Sequence, residues 1–398
     1  MKRTLLILMF VVSYNLTFSQ WTTLTSGSTE WLRGVWFTDN VTGYVVGYNG
    51  TILKTTDGNS WTPLTSNTTN NLMSVFFVTS NLGFACGVGG TILQTTNAGV
   101  TWTAQVSGTF NDLYEIFFVD QSTGYVAGQN GTCLKTTDGG TSWNLLASVV
   151  TGNGQVSLFF NNVNTGYLVG AGFTDAIMKT TDGGATFTNI HDNTAEEFAS
   201  VYFTDLNNGY IVSDITHCIL KTTNAGTTWT SQLSPVNGGL YSVKFPSTNT
   251  GYIVGGYSTN SVILKTTNAG TSWTQQSSST TNSLFDCYFL NDNLGYAVGK
   301  NGTIIKTANG GTGIEDLTNQ INVSIYPNPA STLLTIDNSS QEKNLELQLI
   351  NIEGQTVLNE TTNSSRNVTN ISELANGIYF LQVRNDKTTF NAKLIVQH

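Results

Sequence analysis

The chain has 398 residues, with 16 Lys and Arg against 25 Asp and Glu, a formal net charge of −9 and only 10% charged residues, where about 25% is usual for a soluble domain. Gly (40) far outnumbers Pro (5), and the Ala, Leu, Glu and Lys of amphipathic helices are scarce beside β-branched Thr and Val and the aromatics. A large acidic all-β protein is expected, and nucleic acid is excluded as a partner because neutralising phosphates takes a basic patch.

Lys2 and Arg3 precede an apolar run from Leu5 to Val12, and small residues at Thr17 and Ser19 suit cleavage before Gln20. Residues 1–19 read as a secretory signal peptide, too short to anchor as a membrane helix. No later run is long and apolar enough to span a bilayer, so no transmembrane segment is expected.

A Gly-aromatic pair then recurs at Gly43-Tyr44, Gly83-Phe84, Gly124-Tyr125, Gly166-Tyr167, Gly209-Tyr210, Gly251-Tyr252 and Gly295-Tyr296, in steps of 40, 41, 42, 43, 42 and 44 residues. Six residues before each Gly stands a Phe, from Phe37 to Phe289, and two before that Val35, Val75, Ile116, Leu158, Val201, Val243 or Cys287. This alternation puts both on one strand face. The first copy reads as four strands, Leu32–Phe37, Gly43–Gly47, Thr51–Thr55 and Trp61–Leu64. Four-strand units at about 40–45 residues are the pattern of β-propeller blades. The seventh copy lacks a Trp-led fourth strand, and Trp21-Thr22-Thr23-Leu24 matches Trp61-Thr62-Pro63-Leu64. Residues 21–24 are therefore predicted to complete blade seven. Cys86, Cys133, Cys218 and Cys287 fall at different repeat positions and are expected to be free buried thiols, with one disulfide as the alternative.

Between the third and fourth strands lies a turn such as Thr136-Thr137-Asp138-Gly139-Gly140-Thr141-Ser142-Trp143. It resembles the Asp-box of bacterial neuraminidase repeats. Its acidic position reads Asp57, Asn97, Asp138, Asp182, Asn224, Asn268 and Asn309. General acid–base chemistry would not interchange Asp and Asn, so these are read as structural turn staples. The lysines before the turn, Lys54, Lys135, Lys179, Lys221, Lys265 and Lys306, are expected to be solvated strand ends. The whole blade pattern resembles the photosystem II stability/assembly factor-like propellers. Those factors use an Arg-lined surface, whereas Arg33 is the one Arg of this repeat region.

After Gly313 the pattern stops. Tyr326-Pro327-Asn328-Pro329, the Asn351–Gln355 turn, Leu374–Tyr379 and a basic-apolar tail follow, with strands at Leu333–Asp337, Leu345–Asn351, Thr356–Leu358, Gly377–Val383 and Lys393–Val396. This module is similar to the type A C-terminal sorting domain of the type IX secretion system of Bacteroidota. The resemblance implies a small Ig-like β-sandwich, the type IX secretion machinery and its sortase as partners, and a protein secreted or attached to surface polysaccharide. The expected organisation is signal peptide 1–19, seven-bladed propeller 20–314 closed by its N-terminal strand, linker 315–324 and sorting domain 325–398, as a monomer.

A sialidase reading fails because its arginine triad has only Arg33 to draw on. His191, His217 and His398 form no ligand-spaced set, so no metal or cofactor is expected. Function is sought where the repeats differ. Loops in blades four to six place Phe173, Asp175, Asp214, His217 and Tyr257 on one face, with Arg33, as a candidate site for a sugar, glycan or peptide ligand. The residue nine before each Gly reads Gly34, Ser74, Glu115, Ser157, Ser200, Ser242 and Asp286. Glu115 and Asp286 are thus weak catalytic candidates facing a central channel, with Arg33 near enough to pair with one. The leading expectation is a non-enzymatic binding or scaffold module, and the alternative is a glycoside hydrolase using such carboxylates.

Overall fold

The computed structural model describes residues 20–146, 156–170, 176–192, 197–257, 260–311, 323–338, 345–384 and 389–398. The chain divides into two compact units, Met1–Gly313 and Ile314–His398. The signal segment 1–19, Phe173, Asp175 and most of the linker lie outside the described residues.

The first repeat is a meander of Leu32–Phe37, Gly43–Gly47, Ile52–Thr55 and Thr62–Leu64. Phe37 lies directly across from Gly43 in the pairing of the first two strands. That pairing explains the six-residue spacing: the ring covers the glycine, and a Cβ at Gly43 would meet it at 2.6 Å. The second strand is internal, so Tyr44, Val45 and Val46 are all buried. Each such large apolar side chain contributes about 1.5–3 kcal/mol on leaving water.

Among the described residues, seven four-stranded antiparallel sheets of this kind follow one another between Thr22 and Thr307. Their first strands touch in chain order, and the seventh, Leu284–Phe289, returns to touch the first. Every junction carries a stack of the Phe of one repeat on the Gly-paired aromatic of the repeat before it. Phe77 on Tyr44 stands at 3.9 Å between centroids, Phe160 on Tyr125 at 3.7 Å, and Phe37 on Tyr296 closes the circuit at 4.1 Å.

The last sheet is completed from the other end of the repeat region. Thr22–Leu24 pairs antiparallel with Ile304–Thr307, Thr22 opposite Lys306 and Leu24 opposite Ile304. Trp21 is fully buried and stands edge-on to Phe289 at 5.8 Å, as Trp61 does to Phe37 at 6.0 Å. All four cysteines are buried thiols outside any disulfide.

The repeated lysines are not solvated strand ends. Lys54 Nζ and the Tyr44 hydroxyl both donate to the Ala98 carbonyl, at 2.8 and 2.9 Å, in the Asp-box of the following repeat. Lys135 and Tyr125 do the same to Gly183, Lys179 and Tyr167 to Ala225, Lys221 and Tyr210 to Ala269, and Lys265 and Tyr252 to Gly310. Lys306 and Tyr296 join the seventh repeat to Gly58 of the first. A turn carbonyl with two lone pairs accepts both donors, one of them charged, and strand ends thereby become ties between sheets.

The second unit holds a three-stranded sheet of Val323–Tyr326, Leu333–Asn338 and Arg366–Asn370. A four-stranded sheet orders Thr356–Thr362, Leu345–Asn351, Gly377–Arg384 and Thr389–Val396. Leu334 and Ile336 of one sheet share a core with Leu347, Leu381 and Val383 of the other. Asn328 staples the last strand, donating to Lys393 O at 2.8 Å and accepting from Ile395 N at 2.9 Å. The Asn351 side chain accepts from the backbone N–H groups of Glu353 and Gln355, closing its turn.

Candidate functional site

Six of the seven first strands carry a register shift near their start, as between Leu32 and Gly34. The extra residue turns two successive side chains toward the same side. Arg33, and the pairs equivalent to Arg33-Gly34 in the other repeats, line a cavity of about 450 Å³ among the first strands.

Glu115 and Asp286 both face this cavity. Each carboxylate also has a bonding duty toward the next repeat. Glu115 accepts from Leu158 N at 2.9 Å, and Asp286 accepts from Val35 N at 3.1 Å and from the Ser242 hydroxyl at 2.9 Å. Serines at the same position do this work elsewhere: Ser157 accepts from Val201 N at 3.2 Å and Ser200 from Val243 N at 3.3 Å. Burial pushes the Glu115 carboxyl above its ordinary range, with Lys244 and the hydrogen bonds opposing it. The Arg33 guanidinium lies over the Phe285 ring at 4.3 Å. Burial lowers its pKa, and Tyr48, Tyr241 and Asp286 counter that in part.

A collar of rings occupies the level one residue before the repeat Phe. Centroids stand 5.0 Å apart for Tyr288 and Trp36, 4.1 Å for Trp36 and Phe76, 5.6 Å for Phe76 and Phe117, 5.4 Å for Phe117 and Phe159, and 5.1 Å for Phe159 and Tyr202. The seventh position of this series is Lys244, which also lines the cavity. Burial works against its ammonium, yet Asp286 and Glu115 outweigh that and hold its pKa above the ordinary lysine value.

On the loop-bearing side, the structure brings together three of the sequence-predicted residues with Arg33. The Tyr257 hydroxyl donates to the Asp214 carbonyl at 2.7 Å, and the His217 ring meets Tyr257 at 5.7 Å. Tyr241 joins them: its hydroxyl and the Asp214 carboxylate act on each other electrostatically, and Arg33 acts on both. Burial raises the Asp214 carboxyl, and its Oδ1 is enclosed with no protein partner, as is His217 Nδ1. A half-exposed aromatic beside unsatisfied acceptor atoms is suited to polar ligands with apolar faces. Phe173 and Asp175, assigned to the same face, lie outside the described residues.

The Asp-box residues make local bonds. Asp138 Oδ1 accepts from Ser142 N at 2.9 Å and Oδ2 from the Ser142 hydroxyl at 2.6 Å, while Asn224 Oδ1 accepts from Thr228 N at 2.9 Å. Asp57, Asn97, Asp182 and Asn268 bond their own turns in the same way, and Asn309 Oδ1 accepts from Gly311 N.

Residues 324–397 match the family model described as a secretion system C-terminal sorting domain. Residues 14–107 and 58–145 match that of photosynthesis system II assembly factor YCF48. The matches thus fall on two separate stretches, 14–145 with the assembly-factor model and 324–397 with the sorting-domain model. No curated protein sequence matches it. Among solved structures it is similar to YCF48 bound to D1 peptide, at 19% identity and a TM-score of 0.62, covering 74% of this chain and 98% of that one. PorZ, a surface component of the type IX secretion system of Porphyromonas gingivalis, matches at 13% identity and a TM-score of 0.56, over 94% of this chain and 60% of PorZ. The GH74 enzyme of Niastella koreensis matches at 16% identity and a TM-score of 0.59, over 94% of this chain and 68% of that one. At these identities the likeness carries the propeller-like fold alone, and that fold is shared by enzymes and non-enzymes. The sorting tail makes the protein an exported one, secreted or held at the cell surface, that engages the type IX secretion system. No helix among the described residues is long and apolar enough to cross a membrane.

Proposed function

We propose that the protein is a non-enzymatic binding or scaffold module. In this reading the seven sheets are the blades of a seven-bladed propeller spanning 20–314. An Ig-like sandwich at 325–398, joined through 315–324, is the sorting domain handed to the sortase. The mature monomer then works at the cell surface, on a glycan or protein ligand taken by Asp214, His217, Tyr241, Tyr257 and Arg33. The observation that supports it best is the engagement of Glu115 and Asp286. Both accept backbone N–H groups of the next repeat, at the position where Ser157 and Ser200 do the same. A carboxylate whose place a serine fills elsewhere is a structural acceptor first.

One observation favours the hydrolase alternative. Glu115 is held above the ordinary carboxyl range by burial, on the cavity wall and within electrostatic reach of Asp286, and glycosidases pair two such acids. Glycan and peptide arrays, run beside hydrolysis assays on polysaccharides, separate the two. Binding without turnover is expected, with Asp214→Asn and Tyr257→Ala each weakening it about tenfold, or ~1.4 kcal/mol. Turnover that disappears in Glu115→Gln or Asp286→Asn would establish the hydrolase instead.

A further inference from the structure

Lys244 breaks a ring of aromatic side chains at a position where the flanking repeats carry Tyr202 and Tyr288. An ammonium enclosed by protein is disfavoured unless something holds it, and a tyrosine would fill the same gap without that penalty. The two carboxylates within reach are already committed, Glu115 to Leu158 N and Asp286 to Val35 N and Ser242. They stabilise the charge from a distance, and Lys244 has no hydrogen-bond or ion-pair partner of its own among the described residues. Its three donors open onto a cavity of about 450 Å³ walled by rings.

We propose that this cavity is a binding site for a small organic monocarboxylate with a flat apolar body. The carboxylate takes the Lys244 ammonium, and the body lies against the collar of Trp36, Phe76, Phe117 and Phe159. Its size falls in the usual range of small-molecule sites, about 300–1,000 Å³. A singly charged anion is favoured over phosphate because Glu115 and Asp286, which act on the same lysine from a distance, oppose each further negative charge brought into the cavity. Asp214, His217 and Tyr257 of the rim do not line this cavity, although Arg33 and Tyr241 border both, and the Lys244 subsite goes beyond the surface-binding reading.

Phenylacetate and its neutral counterpart phenylacetamide are titrated calorimetrically into the full chain, with inorganic phosphate as a third probe. The expected result is phenylacetate binding at least tenfold tighter than the amide or phosphate. Lys244→Tyr completes the collar with the residue of the neighbouring repeats. It is expected to melt no lower than the parent and to lose the preference for acid over amide. Lys244→Met checks that the loss follows the charge. Equal binding of acid and amide by the parent, tighter binding of phosphate, no binding of either organic probe, or an acid preference that survives in Lys244→Tyr would each overturn the proposal. The array binding at the rim, altered by Asp214→Asn and Tyr257→Ala, reports on the other site independently.

Discussion

Single side chains at the Asp-box turns show how one oxygen does the same work in two chemical forms. Asp138 and Asn224 both present Oδ1 to a backbone N–H four residues on, and differ in the second atom, which accepts from Ser142 in one and donates to Thr228 in the other. Only the aspartates titrate. Hydrogen bonds from the Ser142 side chain and backbone hold Asp138 down at about 2, and those from Thr186 hold Asp182 at about 2. Asp57 is lowered further by Ser60 and Asn59. A carboxyl depressed in the folded state adds stability that is complete above the unfolded value, about 3.9, and is lost as pH falls toward 2. Because these groups are exposed, solvent screens part of the effect. The triple variant Asp57→Asn, Asp138→Asn, Asp182→Asn imitates the four repeats that already carry Asn. Its melting temperature should fall less between pH 4 and pH 2 than that of the parent, followed by circular dichroism. Parallel curves would contradict the assignment.

At the level of strands and turns, the ties between neighbouring sheets are repeated with one omission. Six junctions carry a Tyr hydroxyl and a Lys ammonium on the next Asp-box carbonyl, whereas the second repeat has Phe84 and Gln94 at those positions, facing the turn of Gly139. Restoring both donors as Phe84→Tyr with Gln94→Lys should raise stability by about 1–2 kcal/mol, since each added intramolecular hydrogen bond is worth ~1 kcal/mol. Denaturant unfolding measures it, and an unchanged midpoint would count against the tie. The strands themselves were legible because the Phe-to-Gly spacing is a cross-strand pairing, which leaves a period in the sequence. The ties were not legible: a lysine next to a Thr-Thr-Asx turn reads as solvated until the neighbouring sheet supplies its carbonyl. Lys244 left a weaker trace. It breaks the series Trp36, Phe76, Phe117, Phe159, Tyr202 and Tyr288, a signal found by comparing that column across the repeats. Tyr241 reaches Asp214 only through the fold. In the second unit, Val323–Tyr326 and Arg366–Asn370 escaped notice because the latter is mostly polar and lies beside a strand distant in sequence.

Across the whole repeat region, the order of the sheets is secured by a pairing between residues nearly three hundred positions apart. Removing Trp21–Leu24 deletes the outer strand of the seventh sheet and a fully buried indole. Loss of a buried Trp alone costs about 3–5 kcal/mol, so the truncated protein should melt well below the parent by scanning calorimetry. An unchanged transition would mean that the strand is ornamental. Because the other six sheets of the repeat region are, among the described residues, built from consecutive hairpins, this one alone of the seven depends on distant chain. Trp21 sits beside Gly311, so the repeat region begins and ends at one spot. The place where the polypeptide is cut is therefore arbitrary with respect to the architecture: a circularly permuted chain, with residues 311 and 20 linked and new ends opened in any turn between repeats, would present the same seven sheets with the seam moved elsewhere.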